Sequence, residues 1–302
     1  MKKILLLFIV ATIFSCQEKL TNEVSEVKKE EFVWEGANIY FLLTDRFNNG
    51  DPTNDVNFDR TKETGKLRGF QGGDIKGITQ KIKEGYFTNL GINAIWMTPI
   101  VEQIHGGTDE GTGLSYGFHG YWASDWTAID PNYGTKEDLK ELVAVAHKNR
   151  IRILLDAVIN HTGPVTEKDP VWPSDWVRTE PQCKYDNYEN TVTCTLVKNL
   201  PDIKTESNEA VELPPQLIAK WKAEGRYECD YAFEQYKKNN TDKVLDDNNF
   251  YLVGEVYGYG ISAGKSYNFG DKKVNYFDKT FNSLINFEIK WNAQQMNTEA
   301  VF

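Results

Sequence analysis

The sequence predicts an α/β fold, in which helices cover a parallel sheet and a small domain is inserted after the third strand. Short segments that are almost wholly apolar alternate with helical patterns, as in parallel sheets that are covered on both faces. Polar residues follow the carboxyl ends of these segments, where the active sites of such folds lie. Residues 162–225 lack periodicity and are too many for a structureless loop, which indicates the inserted domain.

The first elements are a strand, a helix and a second strand. Residues 37–43 (ANIYFLL) form the first strand. Asp74 begins a helix over residues 75–90, whose apolar residues recur at helical spacing, and Gly91 ends it. Residues 92–97 (INAIWM) are the second buried strand.

The later elements continue this alternation. Thr135 and Asp138 resemble a capping box that begins the next helix, and residues 151–158 (IRILLDAV) form the third buried strand. After the insert we expect one helix and two short strands, at residues 231–239, 250–255 and 282–287.

Composition excludes some classes of partner. The chain has 302 residues with 34 Lys and Arg against 44 Asp and Glu, a net charge of −10. Such an acidic chain is poorly suited to neutralising phosphates, so we expect no nucleic-acid partner. Hydrophobic residues make up 40%, enough for a large core.

The amino terminus has the pattern of an export signal. Residues 1–15 (MKKILLLFIVATIFS) place two lysines before an apolar run. The ending IFSC resembles the lipobox of bacterial lipoproteins, which implies that Cys16 receives lipid; an ordinary signal peptide is the alternative. Residues 16–34 are a polar tether. We therefore expect an exported lipoprotein at the cell envelope or surface, contacting the membrane through its lipid only.

Cysteine usage fits an oxidising compartment. Cys183 and Cys194 lie eleven positions apart, and a disulfide between them is favoured over a zinc site because no histidine accompanies the pair. Cys229 has no evident partner in the sequence.

Four runs, in order, carry a family resemblance: TDRFNNGDP at residues 44–52 with GFQGGD at 69–74, FHGYW at 118–122, DAVINHT at 156–162 and GEVY at 254–257. Over residues 38–287 the chain resembles the α-amylase superfamily, family 13 of the glycoside hydrolases. This implies a (β/α)8 TIM-type barrel over residues 35–302, with residues 162–225 as its B-type subdomain. It also implies a retaining acid/base mechanism acting on α-glucosidic bonds of starch and maltooligosaccharides.

The resemblance assigns the site residues. Glu255 matches the general acid/base, and its place at the end of an apolar strand should raise its pKa and suit it to donate a proton. A Glu paired with a neighbouring Arg or Lys is the alternative. The implied substrate-binding residues are His119, Tyr121, Trp122, Asp156 and His161.

Two calcium sites are implied as well. Asn160 and Asp202 match a site that ties the insert to the barrel. The second set comprises Asn49, Asp51, Asn54, Asp55, Gly72 and Asp74. Oxygen-rich clusters suit a hard cation, although this loop also has the composition of an ordinary turn.

The sequence departs from the family at the nucleophile, an Asp in a Gly-x-Arg-x-Asp motif on strand four. The run GRYECD at residues 225–230 has the wrong spacing, no apolar strand leads into it, and strand four is predicted to be absent. The chain also ends at Phe302, before the fourth conserved region. We therefore expect an incomplete barrel and impaired hydrolysis. The alternatives are a non-catalytic starch-binding or maltooligosaccharide-binding surface lipoprotein that uses aromatics such as Trp172 and Trp176, and an unfolded gene remnant.

Overall fold

The computed structural model describes residues 31–169, 171–197, 199–205, 227–278 and 280–288. The export signal, Cys16 and part of the insert lie outside these residues. The same holds for the side chain of Cys229.

The helices and strands are numbered here in chain order. The strands are β1 Ile39–Leu42, β2 Ala94–Met97, β3 Val101–Gln103, β4 Thr108–Asp109, β5 Leu114–Ser115, β6 Ala123–Ile129, β7 Arg152–Leu155, β8 Val177–Arg178, β9 Asp202–Ile203, β10 Val253–Gly254, β11 Ser266–Asn268, β12 Lys273–Asn275 and β13 Ser283–Leu284. The α-helices are α1 Thr44–Phe47, α2 Ile75–Lys83, α3 Tyr86–Asn89, α4 Lys136–Lys148, α5 Tyr188–Val192 and α6 Tyr227–Asn239. Short 3-10 helices lie at Trp34–Gly36, Pro52–Asn54, Thr241–Lys243 and Ile261–Ala263.

The centre of the fold is a parallel sheet in the order β1-β2-β7, which confirms the predicted parallel α/β architecture. Helices α2 and α4 pack against each other. Their apolar residues, among them Ile78 and Leu142, form one core with Leu42, Ile95 and Met97 of the sheet. Burying these side chains supplies the main stabilisation, at roughly 25 cal/mol for each Å² removed from water.

The helix caps follow the sequence, but one helix is shorter than predicted. The Asp74 side chain accepts from Gly77 N at the start of α2, and Thr135 and Asp138 form the predicted capping box. A single helix over residues 75–90 is wrong, because α2 ends at Lys83. Gly85 then adopts a φ of +79°, which is left-handed and interrupts the helix before α3.

The prediction of wholly buried strands is wrong at three positions. Ile39 and Phe41 of β1 are 40% and 50% exposed, and Leu155 at the end of β7 is 53% exposed. Within the described residues, no strand pairs with the outer edge of β1 or β7, and the barrel is not closed. These side chains therefore lack the neighbours that would cover them.

The part of the insert around residue 201 lies beside the start of the insert. Strand β8 pairs antiparallel with β9, and Thr162 N donates to Pro201 O over 2.9 Å. Cys183 and Cys194 form a disulfide, with their Cα atoms 4.9 Å apart. Between β2 and α4, β3 and β6 form a two-stranded antiparallel ribbon, called here the β3–β6 ribbon.

In the described segment between the insert and β10, no strand precedes β10. Residues 227–252 contain helix α6 and no strand, and the strand predicted at 250–255 is reduced to β10, which pairs in parallel with β13. Arg152 of β7 contacts Asp246 over 2.6 Å. Trp34, expected in the tether, stacks on Tyr251 with ring centroids 4.1 Å apart, so packing begins before residue 35.

In the described ranges, no helix is both long enough and apolar enough to span a membrane.

Candidate functional site

Polar side chains gather where the sheet strands end. Thr44 follows β1, Thr98 follows β2 and Asp156 follows β7, while Glu255 comes directly after β10. Thr44 N donates to Thr98 Oγ1 over 3.0 Å, which joins the first two strand ends. Since the carboxyl ends of β1, β2 and β7 share one edge of their sheet, this edge is the candidate active site. Glu255 comes from the separate β10–β13 pair.

Asp156 is held by two hydrogen bonds to one carboxylate oxygen. Trp96 Nε1 donates to Asp156 Oδ2 over 3.2 Å, and the Tyr121 hydroxyl donates to the same atom over 3.1 Å. Burial raises the pKa of Asp156, and these hydrogen bonds offset part of the rise. The two hydrogen bonds therefore fix the carboxylate in position.

Glu255 interacts with the same cluster. Partial burial raises the pKa of Glu255, and the negative charge of Asp156 raises it further. The pKa of Tyr121 is raised by burial, by Asp156 and by Glu255. The side chains of Glu255, Asp156 and Tyr121 therefore lie near one another, and Glu255 is exposed to solvent. A carboxyl with a raised pKa suits proton donation.

Two histidines bind the backbone of Tyr121 from either side. Tyr121 N donates to His119 Nδ1 over 3.0 Å, so the ring proton of neutral His119 is on Nε2. Burial and the positive charges of Arg68, His161 and Arg46 lower the pKa of His119 to about 4. His161 Nε2 donates to Tyr121 O over 3.1 Å, while its buried Nδ1 has no hydrogen-bond partner among the described residues.

Trp122 occupies a different kind of position. It is only 6% exposed, and its ring meets His119 edge to face at 4.8 Å between centroids. Trp122 N donates to Gln103 Oε1 over 2.7 Å. Trp122 therefore packs against His119 on the side away from solvent. A sugar bound at the surface would contact His119 and not Trp122.

Sequence reasoning missed two residues at this site. Trp96 contacts Asp156, and Arg46 places its guanidinium 3.9 Å from the centroid of the Phe118 ring, beside His119. A Trp at the end of an otherwise aliphatic strand was the available signal for Trp96. Arg46 lies within the run TDRFNNGDP, but its local pattern does not indicate a contact with residue 118.

The first implied calcium pair is brought together through its backbone. Ile203 N donates to Asn160 O over 2.9 Å, which places Asp202 beside the loop after β7. The Asp202 carboxylate is buried, its pKa is raised by burial to about 6, and Arg178 lies 3.4 Å away. The Asn160 side chain is exposed. One carboxylate that already has a cationic partner does not make a calcium site by itself.

The second implied set fits a cation better. Asn54 Oδ1 is buried without a hydrogen-bond partner among the described residues. Gly72 lies so close to Asn49 and Asp55 that a Cβ would be 2.3 Å and 2.5 Å from their polar atoms. Asn49 Nδ2 also donates to Asp55 Oδ1 over 2.8 Å. An orphaned amide oxygen beside a carboxylate is a suitable pair of hard donors.

The other two carboxylates of that set are engaged within the chain. Asp74 caps α2 and accepts from the backbone N–H groups of Gly50 and Asp51 as well. Asp51 contacts Lys76 over 2.6 Å. In the part of the chain that is described, no three His, Cys, Asp or Glu side chains are arranged to hold a metal. A cation here would depend on amide and backbone oxygens.

Comparison with known proteins bears on the same region. The family model described as the catalytic domain of alpha-amylases matches residues 41–250. The chain is 30% identical to the periplasmic alpha-amylase of Escherichia coli over 361 positions, which cover 87% of this chain and 52% of that protein. It is 40% identical over 135 positions to a cyclomaltodextrin glucanotransferase of Bacillus sp. strain 38-2, covering 44% of this chain and 19% of that one. The crystal structure of an Anoxybacillus α-amylase superposes with a TM-score of 0.58 at 26% identity, covering 88% of this chain and 55% of that one.

The chain matches only part of the E. coli relative. It spans about half the length of the E. coli relative, and the 361 aligned positions exceed its own 302 residues. That relative therefore has internal segments without a counterpart here. The matched family region stops at residue 250, so the position of Glu255 depends on the run GEVY and on the geometry above. The polar side chains at the strand ends are called here the strand-end cluster and comprise Tyr121, Asp156 and Glu255 with His119 and His161. The sheet, this cluster and the matches agree, and the chain belongs to the α-amylase catalytic-domain family, with a partial TIM-type barrel.

Proposed function

We propose that this chain binds starch-like α-glucans at the strand-end cluster, with Glu255 as the proton donor of an α-amylase-type glycoside hydrolase. The observation that carries the proposal is the geometry of the strand ends, where Tyr121 donates to Asp156 over 3.1 Å after β7 and Glu255 directly follows β10. Cleavage of a glycosidic bond needs a proton on the leaving oxygen and negative charge near the developing oxocarbenium ion. These groups supply both.

The neighbours of Glu255 have roles that follow from their contacts. The Tyr121 ring offers a face for a pyranose, and its hydroxyl keeps Asp156 in place. Neutral His119 has its proton on Nε2, so it donates to a sugar hydroxyl. His161 donates to the Tyr121 carbonyl over 3.1 Å and so helps to hold the turn that carries Tyr121.

Hydrolysis is impaired in this chain, according to the same proposal. A retaining mechanism needs a nucleophilic carboxylate about 5 Å from the acid, and residues 162–254 contain no Gly-x-Arg-x-Asp motif. Asp156 already accepts two hydrogen bonds in a fixed position. The absence of a nucleophile motif from residues 162–254 favours a second candidate function, a non-catalytic starch-binding or maltooligosaccharide-binding protein at the cell surface.

One experiment separates the two functions. Maltoheptaose binding is measured by calorimetry, and reducing-sugar release from soluble starch is measured in parallel. Binding that is weakened by Tyr121→Ala, with slow release that is lost in Glu255→Gln, supports the hydrolase. Binding without any release supports the second function, and no binding contradicts both. Glu137→Gln, on the outer surface of α4, is the matched control. Product analysis distinguishes hydrolysis from glucan transfer.

Calcium is proposed for the second set only. Asn54 Oδ1, the Asp55 carboxylate and the crowded backbone at Gly72 would hold the ion, which would stiffen the loop before α2. Calcium should then raise the melting temperature of the protein, and Asn54→Ala should abolish the rise. A melting temperature that does not respond to calcium or to a chelator contradicts the site.

Export to the cell envelope is proposed as well. It is supported by the signal-like residues 1–15, by the Cys183–Cys194 disulfide, which persists in oxidising compartments, and by the periplasmic location in the E. coli relative's name. Lipidation at Cys16 would add the membrane anchor. Mass spectrometry of the mature amino terminus tests the anchor, and an unmodified terminus beyond residue 16 contradicts it.

A further inference from the structure

A second concave site lies beside the insert. A pocket of about 180 Å³ opens between the β3–β6 ribbon and the first part of the insert. Glu102 comes from β3, Ser124 and Asp125 from β6, and Trp172 from the insert. None of its lining residues belongs to the strand-end cluster.

Two carboxylates stand side by side in this pocket. Glu102 and Asp125 are paired across the β3–β6 ribbon, at an irregular position where the register shifts on both sides of Glu102. Like charges directly opposite each other destabilise an antiparallel pair, so a purely structural ribbon would avoid this arrangement. Locally unfavourable arrangements of this kind are expected at functional sites, where a bound ligand can offset the repulsion between the two carboxylates.

Each carboxylate keeps one oxygen for a ligand. Glu102 Oε1 contacts His105 Nε2 over 2.8 Å, and Asp125 Oδ1 accepts from Thr127 N and its hydroxyl over 2.7 Å. Glu102 Oε2 and Asp125 Oδ2 make no hydrogen bond within the ranges described. Both are therefore available as acceptors for hydroxyl donors.

A rigid aromatic wall completes the pocket. Trp172 packs against Trp126 at 5.6 Å between centroids, and Trp126 Nε1 donates to Val158 O over 2.7 Å. Trp176 lies 6.3 Å from Trp172 with its ring nearly parallel, and it is 60% exposed. A half-buried Trp172 and an exposed Trp176 beside polar acceptors suit the apolar face and hydroxyl edge of a pyranose.

A metal ion fits the pocket less well. The third carboxylate, Asp169, accepts from the backbone N–H groups of His105 and Gly106. The described side chains provide no three-residue metal cluster at this pocket. The chemistry of the wall and of the two acceptors matches a neutral polyhydroxyl ligand.

We propose that this pocket is a second saccharide subsite, in which one sugar unit stacks on Trp172 and donates hydroxyl hydrogens to Glu102 and Asp125. Trp176 extends the stacking surface outward. The choice of an α-glucan as the ligand rests on the proposed function. The protein would then hold two stretches of glucan at once, one at the strand-end cluster and one at the Trp172 pocket.

Calorimetry with maltotriose on the full chain tests this inference. We expect two binding events, of which Trp172→Ala removes one and Tyr121→Ala removes the other. Trp172→Phe keeps a stacking face and should restore the lost event, with a dissociation constant within about tenfold of the original. Tyr236→Ala, an exposed aromatic on α6, is the control and should leave both events unchanged. Circular dichroism melts verify that each variant is folded.

The outcomes separate the two proposals. A single event that only Tyr121→Ala removes overturns the Trp172 pocket and leaves the proposed function standing. A single event that only Trp172→Ala removes supports the pocket and overturns the strand-end cluster as the binding site. No event overturns both. If Trp172→Ala does not fold, the near-isosteric Glu102→Gln with Asp125→Asn decides, since it should weaken the same event by about tenfold, and unchanged affinity overturns the pocket.

Discussion

Tyr121 donates its hydroxyl hydrogen to Asp156 over 3.1 Å, although the two residues are 35 positions apart in the chain. This bond joins the turn at residues 118–122 to the end of β7. Asp156 in turn raises the pKa of Glu255, so the turn, β7 and the loop after β10 act on one another at a single place.

The first prediction concerns that bond. Tyr121→Phe keeps the ring but removes the hydroxyl, so Asp156 loses one of its two donors. Because hydrogen bonds to a charged acceptor are worth about 1.5–3 kcal/mol, we expect maltoheptaose affinity to fall by about tenfold. Tyr121→Ala should cost more because the ring is lost as well. Equal affinity of the Phe variant and the wild type in calorimetry would show that the hydroxyl has no such role.

The second prediction concerns pH and His119. Its pKa is about 4 in the folded protein, below its ordinary value, so only the unfolded chain takes up this proton as the pH falls through 6.5. Its contribution to stability is complete above pH 6.5 and is lost as the pH approaches 4. We expect this loss to be on the order of 3 kcal/mol.

Urea titrations of the wild type and His119→Gln from pH 4 to pH 7.5 measure the difference. Asp202 changes stability in the opposite direction, because its raised pKa of about 6 favours the protonated folded state. Subtracting the two titrations removes that contribution. A difference that does not change with pH would contradict the assigned state of His119.

The third prediction concerns the buried ion pair of Arg60 and Asp130. The pair is 2.8 Å apart with both side chains almost fully buried, and Arg60 also donates to the carbonyls of Gln103 and Ile104. Arg60→Met leaves a buried carboxylate without its cation, which costs roughly 3–5 kcal/mol. Adding Asp130→Asn should recover part of the loss. Denaturant melts of both variants test this, and a loss under 1 kcal/mol for the single variant would argue against it.

The fourth prediction concerns Gly72. An alanine there would face a φ of +86° and a Cβ position 2.3 Å from Asn49 Nδ2. We expect Gly72→Ala to lower the melting temperature by several degrees, as a loss of about 1–3 kcal/mol would do. Gly91→Ala is the control, since Gly91 also has a positive φ but no atom within 4 Å of its Cβ position. Equal losses in the two variants would mean that crowding at Gly72 contributes nothing.

The fifth prediction concerns the disulfide. It closes a short loop in the insert, and its removal by Cys183→Ser with Cys194→Ser should reduce the stability of that region by roughly 2–3 kcal/mol. Limited proteolysis of the insert should accelerate, while the core of α2 and α4 stays resistant. An unchanged cleavage rate would contradict the prediction.

Local signals in the sequence predicted local structure well. The parallel sheet and the caps at Asp74 and Thr135 follow from periodicity and from side chains that bind nearby backbone. The break at Gly85 was missed, because an isolated glycine is also tolerated inside helices. The packing of Trp34 on Tyr251 was missed because it joins distant parts of the chain.

The candidate site was predicted through motifs, and its supporting contacts were not. The runs DAVINHT and GEVY locate Asp156 and Glu255, but no periodicity links Trp96 to a residue 60 positions later. The exposure of Phe41 could not be read from a segment as apolar as ANIYFLL. Such an apolar run predicts burial. Whether its side chains are buried depends on whether other parts of the chain pack against the strand.

The exposed apolar side chains of β1 and β7 also affect the solubility of the protein. Proteins whose sheets have open edges with unpaired backbone groups tend to aggregate. The net charge of −10 opposes aggregation because it makes the molecules repel one another. Salt weakens that repulsion, so concentrated saline should drive this protein out of solution sooner than dilute buffer does.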